Sequence, residues 1–246
     1  MVEQAAAADN LEAGAAKKAK NRTQRSFWYE LPILVAIALL LAFVIKTFLV
    51  QAFTIPSGSM ENTLQVGDRV LVNKLGSWLG EDVERGEVIV FKDPGGWVTT
   101  PLVRPANPVT RGVQDVLMFV GLMPAADQKY LIKRVIGLPG DRIRCCDDQG
   151  RVTVNGAPLD EPYVFPGNPA AVVRFDVVVP EGRLWVMGDH RAVSFDSSKH
   201  MADPGGGTIP LENVVGRAFV KIWRPENAGW LPVPSTFEQP ALNKDG

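Results

Sequence analysis

Two histidines and two cysteines are the whole supply of imidazole and thiol metal ligands in these 246 residues. The cysteines, Cys145 and Cys146, are adjacent and lack metal-ligand spacing, so neither a metal nor a cofactor is expected. Adjacent Cα atoms lie ~3.8 Å apart, below the ~4.4–6.8 Å usual for a disulfide. Structural, redox-inert thiols are the expectation, and a vicinal disulfide in an oxidising exterior is the alternative. An excess of either charge is also missing: 26 Lys and Arg against 27 Asp and Glu leave a formal net charge of −1. Without a concentrated basic face, nucleic acid is excluded as an expected partner. Residues 1–26 contain no aromatic side chain and are Ala-rich and polar. They read as a disordered cytoplasmic tail.

A long apolar run is present. "LPILVAIALLLAFVIKTFLV" covers residues 31–50, about the 20 residues that span a bilayer core. No polar face interrupts it before Lys46, whose long stem lets the ammonium reach the headgroups. A buried core helix is the competing reading, but it does not require every face to be apolar. A cleaved leader would carry a shorter apolar stretch of about 7–15 residues. Residues 27–50 are therefore expected to be a transmembrane anchor. Lys17, Lys18, Lys20, Arg22 and Arg25 precede it, which places the N-terminus in the cytoplasm and residues 51–246 outside.

Beyond residue 51 the pattern becomes short β-branched runs: "DRVLVNK", "GEVIVFKD", "RVTVNG", "VVRFDVVV", "RLWVMGD" and "VVGRAFVKIW". Such runs, punctuated by Gly, Pro and Asp, predict a mostly β, antiparallel domain. Asn155-Gly156 and Asp147 to Gly150 are hairpin turn signals. Residues 105–128 differ, with Val113, Val116, Leu117, Val120 and Leu122 near helical spacing. They predict an amphipathic insertion, packed on the domain's own sheet or resting on a membrane.

Without a metal, hydrolysis needs a side-chain nucleophile and a base. In "PSGSM" the small Gly58 lets a substrate backbone approach Ser59, with the Ser57 hydroxyl beside it. A flexible Ser-Gly-Ser loop is the plain alternative. Lys133 lies in "YLIKRVIG", where strand alternation puts it on one face with Leu131 and Val135. If desolvated there, its pKa falls from ~10.4 and it becomes a usable general base. The alternative is a salt-bridged lysine in company with Arg134. His190 with Asp196 offers a second, Ser-His-Asp arrangement.

Taken together, these segments resemble the bacterial type I signal peptidases, membrane-anchored Ser/Lys proteases that remove signal peptides from exported preproteins. The resemblance runs in one order: the apolar anchor, "PSGSM" with "TL" and "GD", "LVNK", "RGEVIVFKDP", "IKRVIGLPGD" and "MGDHRAVSFDSS". It implies Ser59 as nucleophile, Lys133 as general base, and an oxyanion hole from the Ser57 hydroxyl and the Ser59 backbone N–H. It implies that Ser194 orients the lysine ammonium, that Asp189 and Arg134 pair beneath the site, and that Asp196 is the acid of the last motif. Phe53, Ile55, Pro56, Met60, Leu64 and Ile132 fall where the family lines its substrate pockets. The implied fold is an antiparallel β catalytic domain with a smaller inserted β region at 143–187. The implied partners are signal-peptide-bearing preproteins and the lipid bilayer. Non-enzymatic accessory proteins for surface assembly, and specialised processing peptidases, are the alternatives within the resemblance.

The sequence also departs from the family pattern. Ala192, Val193 and Ser198 replace the Asp, Asn and final Arg of the last motif, which leaves Asp196 without its expected partner unless Lys199 serves. Asn62 stands where the family often has Pro.

Overall fold

The computed structural model describes residues 29–41, 43, 49–76, 82–98, 129–223 and 225–243. The expected tail at 1–26 and insertion at 105–128 lie outside them. Contacts divide the chain into two units, Met1–Ile45 and Lys46–Gly246. In the first, residues 29–41 are helical and leave Leu34, Leu39, Leu40 and Leu41 exposed. Among the described residues no helix is long and apolar enough to cross a membrane. Part of the expected 27–50 span falls outside the described residues.

The second unit is mostly antiparallel β. Its strands are β1 (Val50–Thr54), β2 (Arg69–Asn73), β3 (Val88–Lys92), β4 (Tyr130–Gly137), β5 (Arg142–Cys145), β6 (Val152–Val154), β7 (Ala157–Pro158), β8 (Phe175–Val178), β9 (Arg183–Met187), β10 (Ile209–Pro210), β11 (Val214–Lys221) and β12 (Gly229–Trp230). All six β-branched runs named above become strands. The larger sheet has the order β1-β2-β11-β3-β4-β9-β10, with β12 added on β11. The smaller sheet has the order β7-β6-β5-β8. Within 143–187, β9 thus pairs with the larger sheet while the preceding strands form the smaller one. Asn155 and Gly156 take φ values of 52° and 88°, the left-handed pair that a two-residue hairpin requires between β6 and β7.

β4 organises the interior. Its residue Ile132 joins one apolar cluster with Phe53, Met60, Leu64 and Val70. Val135 joins a second with Ile89, Phe91 and Val186. Ile136 reaches a third, where Trp185 and Met187 of β9 meet Ile143, Val152 and Val154 of the smaller sheet. This alternation follows from the pleat, which sends successive side chains to opposite faces. A strand buried on both faces holds a polar side chain rigidly.

The cysteines depart from the expectation of free thiols: Cys145 and Cys146 are joined in a vicinal disulfide. The peptide between them is cis and their Cα atoms lie 2.9 Å apart, not at the ~3.8 Å of a trans pair.

Candidate active site

Three segments meet at one point. After β1 the chain passes through Ser57 in extended conformation into a single 3-10 turn, Gly58–Met60. Met60 is fully buried in the Phe53 cluster and anchors this turn. Ser59 beside it keeps only 6% exposure. β4 supplies Lys133, opposite Ile89 of β3 and equally withdrawn from solvent. The third segment is the loop from Gly188 into the 3-10 turn Ser197–Lys199.

Lys133 Nζ donates to Ser59 Oγ at 2.7 Å and to the Ile132 carbonyl at 3.0 Å. The Ser57 hydroxyl lies 3.4 Å from Ser59 Oγ. Burial lowers the Lys133 pKa from 10.5 to about 8, against the opposing pull of the Asp196 and Asp189 carboxylates. A buried ammonium loses hydration that two acceptors replace only in part, which favours the neutral amine. The arrangement holds a hydroxyl and a weakened lysine in proton-transfer contact.

Arg134, the next residue of β4, is turned to other work. Its Nε and Nη2 grip Asp189 at 2.9 and 2.6 Å. Its Nη1 donates to the Gly86 carbonyl at 2.7 Å, and its guanidinium lies 4.2 Å from the Tyr163 ring centroid. Both partners of this fork are buried, so the pair fixes β4 against the loop that begins at Gly188 with the geometric specificity of bidentate contact.

Asp196 is not left alone by the missing arginine. Its carboxylate accepts from the Gly188 N–H at 3.0 Å, the Ser198 N–H at 3.2 Å and the Ser198 hydroxyl at 2.7 Å. Lys199 does not take the vacant role, because its Nζ donates to the Ala192 carbonyl and lies over the Phe195 ring. Ser198 is therefore the local replacement. Asn62 also has its own purpose: its φ of 86° is closed to proline, and its amide donates to the Tyr163 carbonyl at 3.0 Å.

Ser194 is fully buried, and its hydroxyl makes no hydrogen bond to any described residue. The Ser194–Lys133 contact implied by the resemblance is thus not made in this structure. Of the substrate-pocket residues, Phe53, Ile55, Met60, Leu64 and Ile132 form one apolar cluster, while Pro56 is exposed. Met60 and Leu64 have no exposed surface, and Phe53 and Ile132 present only their edges. His190 is engaged away from the Ser59 hydroxyl. Its Nδ1 pairs with Glu61 at 3.0 Å and its ring stacks on Phe165 at 4.1 Å. Among the described residues no cluster of His, Cys, Asp and Glu has the geometry to hold a metal ion.

The profile of the family described as signal peptidase, peptidase S26, matches residues 28–223. The chain belongs to that family. A probable signal peptidase I of Mycobacterium leprae is 41% identical over 233 residues, covering 84% of this chain and 80% of that protein. The signal peptidase I of Mycobacterium tuberculosis H37Rv is 40% identical over 248 aligned positions, covering 91% and 83%. A probable signal peptidase I-2 of Synechocystis is 36% identical over 236, covering 92% of each chain. Membership of S26 makes the chain a serine endopeptidase.

Several residues of this peptidase's site were not singled out from the sequence. Thr63 donates to Asp189 and accepts from Arg134 Nη2 at 3.2 Å; its place in the motif's "TL" was the available signal. Gly188 lies where a Cβ would meet the Ser59 carbonyl at 2.5 Å and also the Ser194 side chain, so only glycine lets these segments converge. Its position just before Asp189 was a readable clue. Glu161, which forms a buried ion pair with Arg191, had no signal, because it lies in an irregular loop 30 residues away.

Proposed function

We propose that this protein is a membrane-bound signal peptidase that cuts exported preproteins with a Ser59/Lys133 dyad. The observation that carries the reading is the 2.7 Å contact between Lys133 Nζ and Ser59 Oγ, made by a lysine whose pKa is lowered to about 8. In this reading neutral Lys133 accepts the Ser59 proton while Oγ attacks the scissile carbonyl. The negative charge that develops on the carbonyl oxygen is met by the Ser57 hydroxyl and the Ser59 backbone N–H. A donor of this kind is worth roughly 10²–10³ in rate. Lys133 then returns the proton to the departing amine, and the C–N bond breaks to leave an acyl ester on Ser59. Water, deprotonated by the same amine, attacks that ester; the acyl C–O bond breaks and Lys133 returns the proton to Ser59 Oγ, restoring the free hydroxyl and the neutral amine.

Asp189 and Arg134 brace the strand beneath, and Asp196 ties the loop that carries Ser194 to Gly188. The edges of Phe53, Ile55 and Ile132, with exposed Pro56 beside them and Met60 and Leu64 buried behind, form the apolar wall against which small substrate side chains pack. Residues 27–50 anchor the chain in the bilayer, with residues 1–26 in the cytoplasm and 51–246 outside. Two features support this: the apolar run at 31–50 and the exposed leucines of the helix at 29–41. That topology sets the site where a bilayer-embedded leader presents its cleavage point. The test is to incubate the detergent-solubilised full chain with a preprotein and map the new N-terminus by mass spectrometry. A single cut after a small-residue motif is expected, and an intact preprotein overturns the reading.

A further inference from the structure

The turn that carries Ser59 ends on Glu61, whose N–H donates to the Gly58 carbonyl at 3.1 Å. Its side chain folds back over Gly58, where an added Cβ would come within 2.9 Å of Cδ and Oε1. Gly58 joins the two proposed oxyanion donors, so covalent geometry keeps this carboxylate within about 7 Å of the Ser59 nitrogen. His190 fixes it there. A carboxylate only accepts hydrogen bonds, so the 3.0 Å contact is a donation from Nδ1–H to Oε2. The His190 ring is stacked on Phe165, and its N–H donates to the Ser59 carbonyl at 3.1 Å. Among the described residues Oε1 has no hydrogen-bond partner, and no Lys or Arg pairs with the carboxylate. With 35% of the Glu61 side chain exposed, a fixed negative charge faces solvent beside the nucleophile turn.

A substrate carbonyl held by the Ser57 hydroxyl and the Ser59 N–H divides its own chain in two. The acyl half packs on the wall of Phe53, Ile55 and Ile132, drawn from β1, its continuation and β4. The leaving half departs from the other side of the carbonyl carbon, and Gly58, Glu61 and His190 are groups around Ser59 that the wall does not use. We propose that Glu61 is a specificity-determining residue, whose carboxylate, set in place by His190, disfavours acidic side chains and favours basic ones just after the cut. This rests on Ser59 being the nucleophile and Ser57 an oxyanion donor. The substrate class is then narrower than a small-residue motif alone defines: preproteins whose mature part begins with neutral or basic residues.

The experiment measures kcat/KM of the detergent-solubilised full chain on one preprotein carrying Asp, Asn or Lys at the first or second position after the cut. One partly screened charge at this range is worth roughly three- to tenfold, and the parent should cut the Asn form faster than the Asp form by that factor and no faster than the Lys form. Glu61→Gln should bring the three rates together, and Glu61→Lys should reverse their order. A variant that is merely less well folded slows every substrate alike and leaves these ratios standing. Equal parent rates on all three forms, or a Glu61→Gln enzyme that keeps the parent's Asn-to-Asp ratio, overturn the proposal. Should neither variant fold, raising salt to about 1 M, where the screening length is roughly 3 Å, should shrink the parent's ratio; a ratio indifferent to salt overturns it equally. A Ser59→Ala protein that still cleaves removes the nucleophile reading instead, so the two failures are separable.

Discussion

Lys133 sits where its neutral form is favoured, and this has opposite consequences for stability and turnover. Its pKa is about 8 folded against 10.5 for a free side chain. Between those values the unfolded chain holds a proton that the folded chain lacks, so stability rises as pH climbs from about 8 to 10.5. Below pH 8, burying the ammonium costs up to roughly 3 kcal/mol. Lys133→Met is therefore predicted to unfold at higher urea than the parent at pH 7, with the gap closing above pH 10.5; an equal or lower midpoint at pH 7 contradicts the burial argument. Turnover should rise through pH 8 as the amine loses its proton. His190→Asn should stay within about tenfold of the parent, whereas a histidine base would lose several orders of magnitude. Ser59 and Lys133 were legible in the sequence because each lies in a compact motif of distinctive chemistry. Glu61 and His190 are 129 residues apart, and no local pattern announces their meeting.

Among the elements, β4 and the 188–199 loop carry the proposed base, Lys133, and the buried side chains packed around it. Strand alternation identified β4 correctly because its apolar residues serve cores on both faces, Ile132 on one and Val135 on the other. The loop was less legible. Its last motif lost an arginine, and the acceptor it left, Asp196, is satisfied by the neighbouring Ser198 hydroxyl and two backbone N–H groups. Sequence comparison looks for another cation at such a position, but a buried carboxylate needs only donors. The Arg134–Asp189 fork joins loop to strand with both side chains almost wholly buried. Arg134→Met leaves Asp189 as an unpaired buried charge and should cost about 3–5 kcal/mol in urea unfolding. A loss below 1 kcal/mol would show that the fork does not hold the two elements together.

At the scale of the whole molecule, the mostly β architecture was readable because turn residues and β-branched runs alternate along most of residues 69–221. The order of the strands was not, since β11 returns between β2 and β3 from a distance in sequence that no local signal encodes. The vicinal disulfide stood only as the alternative to free thiols, because adjacent Cα atoms ordinarily lie below the usual disulfide spacing. The proposed topology makes a separate prediction. A reporter active only on the exported side should work when fused after Trp223 and fail when fused before Phe27; the reverse removes exported preproteins as substrates. The central claim is the Ser59/Lys133 dyad, and single-turnover cleavage of a preprotein by the full chain tests it most directly. Ser59→Ala should give no product, and neither should Lys133→Arg, because arginine keeps the charge but cannot accept a proton. Cleavage by Lys133→Arg at near the parent rate would contradict the account.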